Sequence, residues 1–589
     1  MKKLHVSKYL FFALSVVIAL SMLLAACAPP ATPAPVEPVA TEAPAEPVAT
    51  EAPAEPVATE APAEPVATEA PVVTEAPAAE APVADKTLTI AVSGDIAGWD
   101  PVTSIYWLAN EIIINTHDTL VDYGPATDEA GNAVRDFSKV VPNLAESWEE
   151  KDGKEFTFKI RDNAFFRNGD PVTAQAVKDN FARVLEIPSL ASFLLADVAF
   201  VKSPDQMEVI DDKTIKFTLE NPNPMFLKVM QEMNMAIVNI NELKTKGGET
   251  QEEMTKYVSE NTTGSGPYYV DKYEPGVELV LKVNDKYWGE KPYYEEVVYK
   301  VVTDVQNREL LLKNGDVDVI YEAPAKDFES LKSDPNIQAF ATPTLGTLFY
   351  WVGSNMEPWS NPDLVQALGY AVPYDTIIND VTYGLAKPAT SWIPVGLEGH
   401  IPTKEFTYDL EKAKELLAKA GYPDGKGLPP VTFYSKQGVP EEEEAAVYIQ
   451  AELAKLGIQM DIQPIALAAH SEKVSSHEPG FFGFNFWIPY VPDPVYSLYW
   501  TFKTAESGCC NYASYSNPEV DALIEKGLYE LDPAVRNGYV EEAQKIIASA
   551  PPNIPVYHPA WIIAMLKGIQ GYSYYPDTLL RFAQMSESQ

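Results

Sequence analysis

The sequence predicts a mixed α/β protein of two or more lobes, and three observations carry that expectation. Beyond residue 85 roughly 500 residues remain, more than a single hydrophobic core usually holds. Along that stretch, segments with a two-residue apolar period alternate with segments of helical period. Apolar residues make up 46% of the 589-residue chain and charged residues 22%, ordinary values for a folded protein. The 84 acidic residues against 44 basic ones give a formal charge of −40. That balance lacks the basic footprint from which nucleic-acid binding draws most of its affinity. Three cysteines are too few for a disulfide scaffold or a multi-cysteine zinc or iron–sulfur framework. No metal and no cofactor is expected.

Taken in order, residues 1–26 read as an export signal. Lys2, Lys3 and Lys8 precede the apolar run Tyr9 to Ala26, the basic start and apolar middle of a secretory signal. The run ends in Leu24-Ala25-Ala26-Cys27, which resembles the lipobox of bacterial lipoproteins. That resemblance implies cleavage before Cys27, lipid on the new terminal cysteine, and a protein tethered to the outer face of the cytoplasmic membrane. Residues 27–85 then read as a tether. The unit Glu37-Pro-Val-Ala-Thr-Glu-Ala-Pro-Ala45 recurs from Glu46, Glu55 and Glu64, the last with Val72 in its final place. These units hold nothing large to bury, and prolines this frequent favour polyproline II over helix or ladder. At about 3.1 Å per residue the tether could reach roughly 180 Å.

The folded part shows its elements locally. Phe156, Phe158 and Ile160 alternate as in a strand, and so do Val277, Leu279, Leu281 and Val283. Thr173 suits the N-cap of a helix with Val177, Phe181, Val184 and Leu185 on one face. Asp409 suits the cap of a second, striped by Leu410, Ala413, Leu417 and Ala420 and stopped at Gly421. A third, with Ala446, Ile449, Leu453 and Leu456 inward, stops at Gly457 and leads into a strand through Ile458, Met460 and Ile462.

A search for reaction chemistry points away from an enzyme. There is no nucleophile elbow, no zinc-protease helix and no P-loop; Gly421-Tyr-Pro-Asp-Gly425-Lys426-Gly427 has the wrong spacing. His470 and His477 lie near each other without an evident third ligand, and read as surface histidines.

Several ordered segments together resemble family 5 of the solute-binding proteins of ABC importers, the dipeptide-, oligopeptide- and nickel-binding group. They are Leu144-Ala-Glu-Ser-Trp148, Phe156-Thr-Phe-Lys-Ile-Arg161-Asp162, and Phe165-Phe-Arg-Asn-Gly169-Asp-Pro-Val-Thr173. Thr263-Gly-Ser-Gly266-Pro267-Tyr268, Asn284-Asp-Lys-Tyr287-Trp288, Gly315-Asp316-Val-Asp318, Pro492-Asp493-Pro494 and Tyr515-Ser-Asn517-Pro518 continue the series. Trp148 and Trp288 read as core anchors, and Gly169 and Gly266 as turn residues. The resemblance implies a periplasmic-binding-protein-like fold of two lobes closing at a hinge. The first lobe is expected at about 86–125, 205–325 and 556–589, with an inserted subdomain at 126–204 and the second lobe at 326–555. It further implies a monomer that captures an oligopeptide-like solute without reaction and hands it to ABC permease subunits with their ATPases. An oligosaccharide ligand and a lipid-anchored surface hydrolase are the alternatives.

In peptide-binding relatives a segment Trp-x-x-Asp-Tyr-x-Asp-Pro supplies an Asp that pairs with the peptide amine. Here it reads Trp487-Ile-Pro-Tyr490-Val-Pro-Asp493-Pro494, so Tyr490 stands at the amine-pairing place and recognition is expected to tolerate a blocked amino end. The resemblance makes Trp487, Tyr490 and Asp493 candidate ligand contacts. Trp392 and Trp500 join them as flat faces for sugar rings or apolar side chains, beside Trp351, Tyr496 and Tyr499. Cys509 and Cys510 suit a vicinal disulfide in an oxidising compartment, its ring forming part of the pocket wall. The anchor is testable first: Cys27→Ser should abolish metabolic labelling with a fatty acid, and equal label in mutant and wild type would contradict it.

Overall fold

The computed structural model describes residues 86–128, 131–404, 407–504 and 510–588. The export signal, Cys27, the repeat tether and Cys509 lie outside the described residues. Seven strands form the first sheet, in the spatial order β12 (Ile337–Pro343), β19 (Ala560–Leu566), β11 (Val319–Tyr321), β1 (Thr87–Val92), β10 (Glu296–Val301), β9 (Glu278–Val283) and β8 (Tyr268–Glu274). Central β1 pairs in parallel with both β10 and β11. Its Leu88, Ile90 and Val92 enter one core and Ala91 another, on the opposite face. A strand buried on both sides reads as an unbroken apolar run, and Leu88-Thr-Ile-Ala-Val92 comes close to that.

The second sheet has six strands, ordered β14 (Lys387–Pro388), β18 (Asn553–His558), β13 (Thr347–Val352), β17 (Phe482–Trp487), β15 (Val431–Lys436) and β16 (Met460–Ile465). Between β1 and β8 the chain builds an antiparallel four-stranded sheet, β4 (Ala145–Lys151), β5 (Glu155–Ile160), β7 (Thr214–Thr218) and β6 (Met207–Asp211). The hairpin β2 (Val121–Thr127) and β3 (Ala133–Pro142) precedes it. The helix Ala174–Glu186 covers this subdomain through Val177, Phe181 and Val184, and Thr173 caps it by accepting from the Ala176 N–H. Asp409 likewise accepts from the Glu411 and Lys412 N–H groups.

The architecture is α/β with two lobes, one sheet to each. Sheet membership can be set beside the expected boundaries. β12 runs antiparallel along the whole of β19, so Ile337–Pro343 belongs to the first sheet, within the span from 326 expected for the second lobe. The subdomain sheet extends to Thr218, beyond the expected 204. Neither limit has a local signal, because each is set by pairing with a distant partner. Val277 falls outside β9 and is exposed, where a strand residue was expected. His470 is buried against the edge of Phe481, where a surface residue was expected. Gly266 lies against the last turn of the helix Trp107–Thr116, where a Cβ would come within 2.5 Å of the Thr116 carbonyl carbon. Among the described residues no helix is long and apolar enough to cross a membrane.

Candidate functional site

The chain passes between the two large sheets twice: after β12 into β13, and after β18 into β19. These crossings are tied to each other. The Thr344 N–H and hydroxyl both donate to the Pro559 carbonyl, at 2.9 and 3.0 Å. His558, buried beside them, has Nδ1 at 2.9 Å from the Gly346 carbonyl and 3.1 Å from Thr347 Oγ1. Burial pushes its pKa down to about 4, which keeps the imidazole neutral.

At this junction lies a cavity of about 380 Å³, within the range of small-ligand sites. The first lobe contributes Trp107, Tyr123, Glu232, Trp561 and Asp577, and the second Phe486 and Tyr490. A second cavity of about 400 Å³ shares Phe486, Pro559, Ala560 and Trp561 with it. Together they form a cleft along the crossings. Trp107 and Trp561 meet at 4.9 Å between ring centroids, and the Trp107 indole N–H donates to Thr578 Oγ1 at 2.8 Å.

Buried acids hold this wall in place. Glu111 accepts from the Tyr299 and Tyr321 hydroxyls and from the Leu580 N–H, binding the helix that carries Trp107 to the C-terminal segment. Its desolvation outweighs those donors and lifts its pKa to about 7. Asp577 is paired on both oxygens by Arg581, at 2.8 and 2.6 Å. Glu232 is only 3% exposed. It accepts one side-chain hydrogen bond, from the Tyr123 hydroxyl at 2.9 Å, and burial raises its pKa to about 8.

Of the residues expected from sequence, Tyr490 lines the cavity. Its neighbour in the motif, Trp487, does not. Trp487 ends β17, one residue beyond Phe486, and alternation along a strand turns it to the opposite face. There it packs between the cores of the second lobe and the subdomain. Its indole N–H has no hydrogen-bond partner among the described residues.

Asp493 is not a cavity residue. It is fully buried and caps the helix Pro494–Phe502, accepting from the Val495 and Tyr496 N–H groups. Both oxygens also meet the Arg536 guanidinium at 2.8 and 2.6 Å, and Oδ2 meets Lys228 Nζ at 2.8 Å. Burial alone would raise its pKa, but Arg536 and then Lys228 overcome this and hold it far below the usual carboxylate range. Lys228 belongs to the helix Phe226–Val229 beside the subdomain and Arg536 to Pro533–Ser549 in the second lobe. Asp493 therefore ties the lobes together.

Trp392 is also a core residue, 2% exposed, with its indole N–H donating to Asn553 Oδ1 at 2.8 Å. Trp500 packs edge-on against Phe193 of the subdomain, with centroids 4.4 Å apart. Neither lines the cleft. Cys510 is disulfide-bonded and packs against the subdomain core, while the other two cysteines, Cys27 and Cys509, lie outside the described residues. Sequence reasoning missed Trp107, Tyr123, Glu232, Phe486, Trp561 and Asp577. One signal was available: Glu232 is the single acid in the largely apolar stretch from Met225 to Val238.

Two lobes around a cleft at paired chain crossings are the geometry of a two-lobed binding fold. The family model of the bacterial extracellular solute-binding proteins, family 5, matches residues 139–509, and the chain belongs to that family. It binds a solute and is not an enzyme. A "probable D,D-dipeptide-binding periplasmic protein" of Escherichia coli K12 is 28% identical over 508 residues, 86% of this chain and 95% of the relative. A glutathione-binding protein of the same strain is 27% identical over 447 residues, 74% and 84% of the two chains. A Helicobacter pylori periplasmic binding protein, solved with the peptide STSA, shares the fold with a TM-score of 0.70. It is 24% identical and covers 85% of this chain and 98% of its own.

Asp493→Ala should lower stability at pH 7 by about 3–5 kcal/mol, since it strands two buried cations, and urea unfolding measures it. A lowered carboxylate pKa gives stability that is complete above the unfolded value of 3.8 and is lost only as pH falls through the folded value. A loss below about 1 kcal/mol, the scale of an exposed pair, would contradict a buried tie.

Proposed function

We propose that this protein is the lipid-anchored, extracytoplasmic receptor of an ABC importer, capturing a peptide-like solute in the cleft at residues 344 and 559. It would work as a monomer and hand the closed complex to the permease. The observation that carries the reading is the 380 Å³ cavity with aromatic walls, drawn from both lobes at their crossings. Binding there favours the closed arrangement to the extent that the solute meets both walls at once. The names of the two Escherichia coli relatives, one dipeptide-binding and one glutathione-binding, agree with a small peptide.

An oligosaccharide remains the second reading, favoured by the indole faces of Trp107 and Trp561, which suit sugar rings. Native mass spectrometry of protein purified from its own membranes separates the two. A released solute whose fragments differ by amino-acid residue masses is expected. Fragments spaced by hexose units would overturn the peptide reading and leave the receptor reading standing.

A further inference from the structure

The charges that line the cleft are of one sign. Among the described residues, the first cavity presents Glu232 and Asp577, and the second presents Glu322, Glu441 and Glu442. Among the described residues no lysine, arginine or histidine lines either. Two of these acids already have cations: Asp577 has Arg581, and Glu442 has Lys436 at 2.8 Å. Glu232 has none. It is buried at the cavity wall with a single donor on Oε1, and among the described residues no ion pair reaches it.

A carboxylate in that position has two low-energy states: protonated, or ionised against a cation that arrives from elsewhere. A solute carboxylate entering the same space would face acids with no basic group to receive it, so its desolvation would go uncompensated. We propose that the cleft selects solutes that carry a primary ammonium and no free carboxylate, with Glu232 as the residue that pairs the ammonium. The proposal rests on the cleft being the solute site. It revises the expectation drawn from Tyr490. The negative charge missing from the second-lobe segment is supplied from the first lobe, by a residue close enough to Tyr490 to push the phenol's pKa upward together with burial. The ammonium would also lie among the faces of Trp107, Trp561 and Tyr490, which attract cations.

Proton linkage gives a readout that a merely structural role would not move. Glu232 faces Tyr123, Tyr490, Tyr496 and the Asp577–Arg581 pair. With its pKa raised to about 8 in the free protein, it is largely protonated at pH 7, and an incoming ammonium must displace that proton. Binding at pH 7 should therefore release a proton, and affinity should rise from pH 6 to pH 8.

The test is titration calorimetry on the full-length chain in detergent, in two buffers of different ionisation enthalpy. The probes are Leu-Leu-amide, Leu-Leu, N-acetyl-Leu-Leu, N-acetyl-Leu-Leu-amide and phenethylamine. Leu-Leu-amide should bind about 10- to 100-fold tighter than Leu-Leu or either acetylated form, the range of a charge-assisted contact. Glu232→Gln, with its thermal midpoint checked against wild type, should lose that advantage and the proton release. Equal affinities for Leu-Leu-amide and the acetylated amide, an equally tight Leu-Leu, or an unaltered Glu232→Gln would overturn the proposal and leave a peptide site intact. Phenethylamine binding that depends on Glu232, with no dileucine bound, would uphold the proposal and overturn the peptide reading. A panel in which nothing binds at millimolar concentration would overturn both.

Discussion

Everything in this site depends on the Thr344–Pro559 contact, where two chain crossings touch and one carbonyl accepts both donors of one threonine. Each lobe keeps its own sheet, so relative rotation disturbs packing at this line and where Tyr496, Trp500 and Asp493 meet the subdomain. A rotation axis so placed is the geometry of hinge closure. The cleft beside it is where a small solute can touch both lobes with little leverage lost. The neutral, buried His558 next to the crossings adds hydrogen bonds without bringing a charge that would need solvent.

A second contact zone lies away from the hinge, where the helix Pro494–Phe502 meets the subdomain through Tyr496 and Trp500. Asp493 at its N-terminus joins Lys228 and Arg536 there. Ionic and aromatic contacts of this sort are directional, so they define one docked arrangement of the lobes more sharply than apolar area alone would. Asp493 and Trp500 sit in this docking surface, and Phe486, Tyr490 and first-lobe residues line the cavity.

Much of the fold was legible because its signals are local. Thr173 and Asp409 cap the helices their positions announce, and the alternation of Phe156, Phe158 and Ile160 gives a strand with those residues buried. The lobe boundary was less legible, since β12 acquires its identity only by pairing with β19, more than two hundred residues later in the sequence. The site was the least legible part. Trp392 and Trp500 carry the same composition signal as Trp107 and Trp561, and only tertiary packing separates core rings from cleft rings. Asp493 could not be told from a ligand contact without its partners Lys228 and Arg536, which lie far from it in sequence. Glu232 was visible as the single acid in the largely apolar stretch Met225 to Val238, a pattern that suits a buried charge but does not say what it faces.

The account stands on closure at the crossings, and small-angle scattering from residues 86–589, with and without a saturating amine-bearing dipeptide amide, measures closure most directly. It predicts a smaller radius of gyration with solute, and a liganded curve that fits the arrangement in which Asp493 meets Lys228. Identical curves at saturation, with binding confirmed in the same sample, would contradict it.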